Sequence, residues 1–328
     1  MPVVVTGASG HLGANLVRSL LERGEQVRVL VHRSSAALAD VEDRLERVEG
    51  SVCEPESLGP AFAGADRVYH LAGVISIDGD PDGRVHRVNV EGTRNVARAC
   101  LEQGVGRLVH VSSVHAFDMD PRDEVLDETR RQVADSPRHS AYDRSKALGE
   151  RAVREAVEQG LDAVIVNPTG IMGPVDHGPS RLGQLLRELA SNKLPALLDG
   201  GFDFVDVRDV VDGTLAAAER GRAGENYILG NTWYSLRELA ELVASVSGAR
   251  PPILVTPVWA ARLGVPFARV AAKLSNTEPL FTRESLEVLV SNRSISSGKA
   301  RAELGYSPRP LARTVADTLD WFGRTMRA

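Results

Sequence analysis

Tyr142 and Lys146 stand four residues apart in Tyr142-Asp143-Arg144-Ser145-Lys146, a spacing that puts both side chains on one face of a helix. A free phenol ionises near pH 10, so acid–base work near neutrality asks for a shift of roughly three units, on the order of 4 kcal/mol. One ammonium about 4 Å away, at an effective dielectric near 20, supplies an interaction of that size. The pair is therefore a sufficient device for moving a proton to or from an oxygen atom. Tyrosine and lysine at this spacing are also common on plain helix surfaces, so the pair gains weight from its company. The hydroxyl pair Ser112-Ser113 closes an apolar run upstream, and three glycines punctuate the start of the chain.

Those glycines, Gly7, Gly10 and Gly13, follow the apolar run Val3-Val4-Val5 and precede a helical pattern with Leu12, Leu16, Leu20 and Leu21 on one face. A buried strand, a tight turn and a helix bring backbone N–H groups and the positive end of the helix dipole to one point. Gly7 permits the turn, Gly10 lets a pyrophosphate approach the backbone, and Gly13 lets the helix pack against the strand, the logic of dinucleotide binding. Ser9, His11 and Leu12 lie in the same turn. The plainer reading is an ordinary strand-to-helix turn, which the position at residue 3, directly after a valine run, disfavours.

The second strand, Val27-Arg28-Val29-Leu30-Val31, is followed by His32-Arg33-Ser34-Ser35, with no carboxylate before Asp40. An NAD site places an acid about 20 residues past the glycine turn, to hold the ribose 2′-hydroxyl. The guanidinium of Arg33 suits a 2′-phosphate instead. NADP(H) is favoured over NAD(H), against the plainer reading of Arg33 as a solvated side chain.

Further strands are expected at 45–52, 67–73 and 107–113, with helices opening at Pro55 and at Asn89. The strand ending His70-Leu71-Ala72-Gly73 carries small residues at its carboxyl edge, which leaves room for a ligand. Strands alternating with helices predict an α/β fold, a Rossmann-type doubly wound parallel sheet. The 328 residues, 43% hydrophobic and 25% charged, suit a globular chain of about two domains. The net charge of −5 gives no support for nucleic-acid or membrane-surface binding. Cys53 and Cys100 are too few for a disulfide framework. Met1 runs at once into a core strand, and no apolar run reaches a membrane span, so the expected compartment is the cytoplasm. No metal is expected.

Taken together, these motifs resemble the extended short-chain dehydrogenase/reductase superfamily over nearly the whole chain. The likeness rests on the glycine turn, His70-Leu71-Ala72-Gly73, Asn89-Val90-Glu91-Gly92-Thr93, Val111-Ser112-Ser113, Tyr142 with Lys146, and Asn167-Pro168-Thr169-Gly170-Ile171-Met172-Gly173-Pro174. It implies that Tyr142 is the general acid/base, that Lys146 lowers its pKa and bonds the nicotinamide ribose, and that Ser113, or Ser112 in exchange, hydrogen-bonds the substrate carbonyl. Asn89 becomes a polar support behind the lysine. Leu71, Ala72, Gly73, Pro168 and Thr169 join the cofactor contacts. Three features depart from family patterns: Ser51 stands where many members have an Asp near the adenine; 118–136 is a long charged connection that could form a flap; and Val114-His115 follows Ser113 where dehydratases carry an acid.

The resemblance divides the chain into a dinucleotide-binding part, 1–173 with 202–222 returning to it, and a substrate lobe, 174–201 with 223–328. Within the lobe, Ser235 to Glu238 reads as a capping box. The apolar stretch 257–275 reads as a packed helix, a pocket lining, a dimer contact or a membrane contact. Stretches near Arg208, Asn226 and the C-terminal end point to the dihydroflavonol-4-reductase-like and 3β-hydroxysteroid dehydrogenase-like branch. The leading expectation is an NADP(H)-dependent enzyme that interconverts a ketone or aldehyde with an alcohol on a fairly hydrophobic small molecule, as a homodimer. The alternatives are a nucleotide-sugar epimerase with tightly held NAD, which Arg181, Arg187 and Arg208 keep open, and a non-catalytic NAD(P)-sensing protein.

Overall fold

The computed structural model describes residues 1–32, 36–263 and 282–325. Its strands, in chain order, are β1 (Val3–Thr6), β2 (Val27–Val31), β3 (Leu45–Glu49), β4 (Arg67–His70), β5 (Arg107–Val111), β6 (Ala163–Pro168), β7 (Gly170–Met172), β8 (Ala196–Leu198), β9 (Gly201–Asp206), β10 (Asn226–Leu229), β11 (Thr232–Ser235) and β12 (Leu254–Thr256). Seven of them form one parallel sheet in the order β10-β6-β5-β4-β1-β2-β3. This is the Rossmann-type α/β fold that the strand–helix alternation predicts. The order reverses between β1 and β4, and a doubly wound sheet opens its ligand crevice at such a point.

Burial on both faces explains the near-continuous apolar strands. On one face, β1, β2 and β5 pack with helices His11–Glu22 and Val207–Arg220, around Leu16, Leu20, Val29, Val109 and Leu215. On the other, Leu58, Phe62, Val96, Cys100 and Val153 fill the layer beneath the helices Pro55–Phe62, Thr93–Gln103 and Ala141–Glu158. A third cluster, with Phe204, Leu186, Leu239 and Leu286, is the core of the smaller lobe. Ser235 opens helix Leu236–Ser247 with the predicted capping box.

Several boundaries differ from the sequence expectation. The helix expected to open at Asn89 begins at Arg84 and passes through a π-helical segment, Arg87–Gly92, before Thr93–Gln103. Strand β9 pairs with β7 and β11 in a separate three-stranded sheet, while helix Val207–Arg220 after it lies on the large sheet. Strand β10 pairs with β6, so part of 223–328 completes the dinucleotide-binding sheet instead of the lobe. The 118–136 connection is pinned and is no free flap. Leu126 bridges Ile295, Phe117 bridges Gln132, and a Glu128 carboxylate oxygen accepts the Ile228 N–H of edge strand β10 at 2.7 Å. Of 257–275, residues 264–275 lie outside the described residues, and Trp259 and Leu263 before them are exposed.

A tight constraint on this fold is at the glycine turn. Gly7 holds φ at +71°, and a Cβ on Gly13 would lie 2.2 Å from the Gly7 carbonyl oxygen. Backbone has to move to admit it. Gly13→Ala is therefore expected to cost about 1–3 kcal/mol, read as a lower urea midpoint, and to weaken dinucleotide binding in a fluorescence titration. Unchanged stability and binding would show that the approach is looser than this.

Candidate active site

Ser140 starts the helix that carries the Tyr–Lys pair. Its Oγ accepts the Asp143 N–H at 3.0 Å, capping Ala141–Glu158. Tyr142 thus sits in the first turn of that helix, and Lys146 one turn further, buried. The Lys146 Nζ donates to the Val111 carbonyl at the end of β5, at 3.3 Å, and lies 5.9 Å from the Tyr142 ring centroid. Ser113 follows β5 in extended backbone; its Oγ accepts the His115 N–H, and it pulls the pKa of the Tyr142 phenol downward. Among the described residues the buried Ser112 hydroxyl has no partner. Ser113 acts on the phenol in this way, whereas Ser112 does not.

The electrostatics correct one expectation. Burial pushes the half-buried Tyr142 phenol up, to about 12, against a smaller downward pull from the Ser113 hydrogen bond. The Lys146 ammonium is turned to the Val111 carbonyl, and loss of solvent is the largest influence on the phenol. Burial also brings Lys146 down to about 8, with Glu150 acting upward. Beside the phenol, the His115 Nδ1 pairs with Asp143 at 3.2 Å, and its ring meets Tyr142 edge-on at 5.9 Å.

Asn89 sits in the π-helical segment, as such segments often do at functional sites. Its Oδ1 accepts the Val74 N–H at 2.8 Å, and its Nδ2 donates to the Val74 carbonyl and to Ser145 Oγ, both at 2.9 Å. It ties the loop after β4 to the Tyr–Lys helix. Gly73 stands between them: a Cβ there would lie 3.4 Å from Asn89 Oδ1 and 3.5 Å from Lys146 Nζ. A cofactor can approach the ammonium across this gap.

A buried ladder supports the crevice. The His70 Nδ1 lies 2.8 Å from Thr6 Oγ1, and its Nε2 lies 3.0 Å from Thr93 Oγ1. The Thr93 hydroxyl donates to the Asn89 carbonyl, so it accepts from His70 Nε2–H. The His70 Nδ1 then accepts from Thr6, whose oxygen also receives the Ala72 N–H at 3.3 Å. One neutral tautomer satisfies every partner. Sequence reading gave Thr6, His70 and Thr93 no role; the available signal was polar side chains at interior strand and helix positions.

At the glycine turn, Gly10 N-caps helix His11–Glu22, and Ser9, Leu12 and Gly13 complete the turn. The His11 ring is not turned to a ligand: its Nε2 meets the Pro174 carbonyl at 3.0 Å, which Asn15 Nδ2 also reaches. Leu71 and Ala72 face Gly7 so closely that a Cβ there would meet Ala72 N at 2.5 Å. Pro168 ends β6, and the Thr169 hydroxyl is committed to the Asp203 carboxylate at 2.6 Å. Ser51 Oγ accepts the Cys53 N–H. Arg33 lies outside the described residues. The glycine cradle, where a Cβ on Gly7 or Gly13 would strike backbone while Gly10 stays uncrowded, fits a dinucleotide.

Residues 3–230 match the NAD dependent epimerase/dehydratase family, and the chain belongs to it. Sterol demethylase protein B of Methylococcus capsulatus is 35% identical, over 98% of each chain. A putative dihydroflavonol 4-reductase of Synechocystis sp. is 31% identical, over 97% of this chain and 93% of its own. The crystal structure of gox2253 is 35% identical over 99% of each chain, with a TM-score of 0.86. The protein is thus an extended short-chain dehydrogenase/reductase of the dihydroflavonol-4-reductase-like branch, an NAD(P)-dependent enzyme acting on hydroxyl and keto groups. Among the described residues, no helix is long and apolar enough to cross a membrane.

His110 stacks on His70 with ring centroids 5.2 Å apart, and neither of its ring nitrogens has a partner. Burial holds His70 down, to about 3, and His110 well below its usual value. Below about pH 6.5 the unfolded chain binds protons that the fold refuses, so stability falls by about 1.4 kcal/mol per pH unit for each such histidine. His110→Leu should leave stability near neutrality unchanged or raised, because an apolar group replaces an unpaired polar one. It should also flatten the acid slope of urea midpoints between about pH 7.5 and about pH 5.5. A slope identical to that of the wild type would contradict the assignment.

Proposed function

We propose that the protein is an NADP(H)-dependent ketoreductase, or in reverse an alcohol dehydrogenase, for a fairly hydrophobic small molecule. The observation that carries the reading is the placement of Ser113 and Tyr142 at the carboxyl edge of β5, with Lys146 fixed behind them through Val111. Two hydroxyls so placed can both turn to a single carbonyl oxygen. The nicotinamide cofactor, when bound, supplies the hydride for the carbonyl carbon.

The chain's own residues do the rest. Ser113 holds the carbonyl oxygen by a hydrogen bond, and the Tyr142 hydroxyl delivers its proton to that oxygen. A phenol held near 12 is a proton donor, present in full at neutral pH, which suits the direction of reduction. The Lys146 ammonium offsets the charge left on the phenolate and is placed to reach the ribose through the gap at Gly73. Gly7, Gly10 and Gly13 receive the pyrophosphate. Arg33, next after His32 at the end of β2, is assigned to the 2′-phosphate on the sequence alone.

Two things support a hydrophobic substrate. Ile75, in the loop that Asn89 pins, is 68% exposed beside the site. The relatives are named for a sterol and a dihydroflavonol, both polycyclic. The same reading includes a homodimer through helices Thr93–Gln103 and Ala141–Glu158, which pack side by side.

Tyr142→Phe is expected to lower turnover of a hydrophobic ketone by about 10²- to 10⁴-fold while leaving NADPH affinity nearly unchanged. Retained turnover would remove Tyr142 from the mechanism. Fluorescence titration should show tighter binding of NADPH than NADH, with the preference lost in Arg33→Asp. Protein purified with NAD held tightly, and indifferent to added NADPH, would favour the epimerase.

A further inference from the structure

Behind the Tyr–Lys pair lies a second, closed set of polar groups. Glu150, one helical turn beyond Lys146, has no exposure to solvent. Its carboxylate accepts from Asn167 Nδ2 at 2.6 Å, Asn226 Nδ2 at 2.8 Å, Arg154 at 3.2 Å and Gln132. Asn226 Nδ2 also donates to Asn167 Oδ1 at 2.8 Å. The second hydrogen of Asn167 goes to the carbonyl of Ser113, at 2.9 Å. A buried carboxylate is thereby joined on one side to the backbone of Ser113, and on the other lies on the helix that carries Lys146.

We propose that Glu150 is a positioning residue of the active site, aiming Ser113 through Asn167 and keeping the ammonium of Lys146 charged inside the protein. The inference rests on the reading of Tyr142, Lys146 and Ser113 given above. Two facts favour it over simple packing. A lone buried carboxylate is expensive, and four donors on one carboxylate replace the water it loses. The neighbouring His70 and His110 are held neutral and give the ammonium no charge partner. Glu150 is the group that raises the lysine against its burial.

The test follows Lys146 directly. It is one of four lysines, with Lys193, Lys273 and Lys299, so its Cε resonance in ¹³C-lysine protein is assigned by Lys146→Arg. In the cofactor-free full chain it should titrate near 8. Glu150→Gln should move that titration down by about one unit or more. Glu150→Met, an uncharged side chain of similar length at the same position, should move it down likewise, and decides the matter if Glu150→Gln fails to fold. Asn167→Ala should leave the titration in place and lower kcat for ketone reduction with little change in KM for NADPH.

Lys146 titrating at the wild-type pH in both folded charge variants would overturn the proposal. Failure of the underlying reading looks different. In that case Lys146→Arg would retain turnover, whatever Glu150 does to the titration.

Discussion

Keeping a lysine charged beneath the edge of a parallel sheet is the constraint around which this molecule is arranged. Taking an ammonium out of water costs several kcal/mol unless partners replace the hydration. The Val111 carbonyl supplies one partner and Glu150 an opposing charge. Both depend on the sheet. Val111 is available because β5 ends there, level with Val166 of the neighbouring strand. Glu150 reaches Asn167 because β6 runs on past that level to Pro168.

The cofactor half is built to the same level from the other side of the switch point. β1 and β4 end in Thr6 and His70, and their side chains bond to each other. Through Thr93 the ladder reaches the carbonyl of Asn89, whose side chain then holds Val74 and Ser145. Glycine turn, cofactor loop and Tyr–Lys helix are in this way one connected hydrogen-bonded unit. A neutral His70 is the only protonation state that fits all its partners, and its burial enforces that state.

Local pattern made the sheet and the Tyr–Lys pair legible in the sequence. The strands β1, β2, β4, β5 and β6 are apolar runs with turn residues at their ends, and Tyr142 and Lys146 are bound by a short spacing. What escaped depends on tertiary position. The π-helical segment at Asn89 has no periodic signature. β10 reads as any short strand, and only pairing with β6 places it in the large sheet. Glu150, Asn167 and Asn226 are far apart in sequence, and nothing local marks them as one group. The surroundings of Tyr142 are hidden for a related reason. Spacing shows that a lysine is near, but not that its head turns to a backbone carbonyl while the phenol loses solvent.

Hydride exchange between a released nicotinamide cofactor and a ketone leaves its record in isotope transfer. Purified protein would be given NADPH deuterated at C4 on one face or the other, with a panel of aromatic and polycyclic ketones. Deuterium is expected on the carbinol carbon of the product from one of the two labelled cofactors only, in amounts exceeding the enzyme present. Product free of deuterium with both labels, from enzyme that keeps its own NAD through turnover, would contradict it.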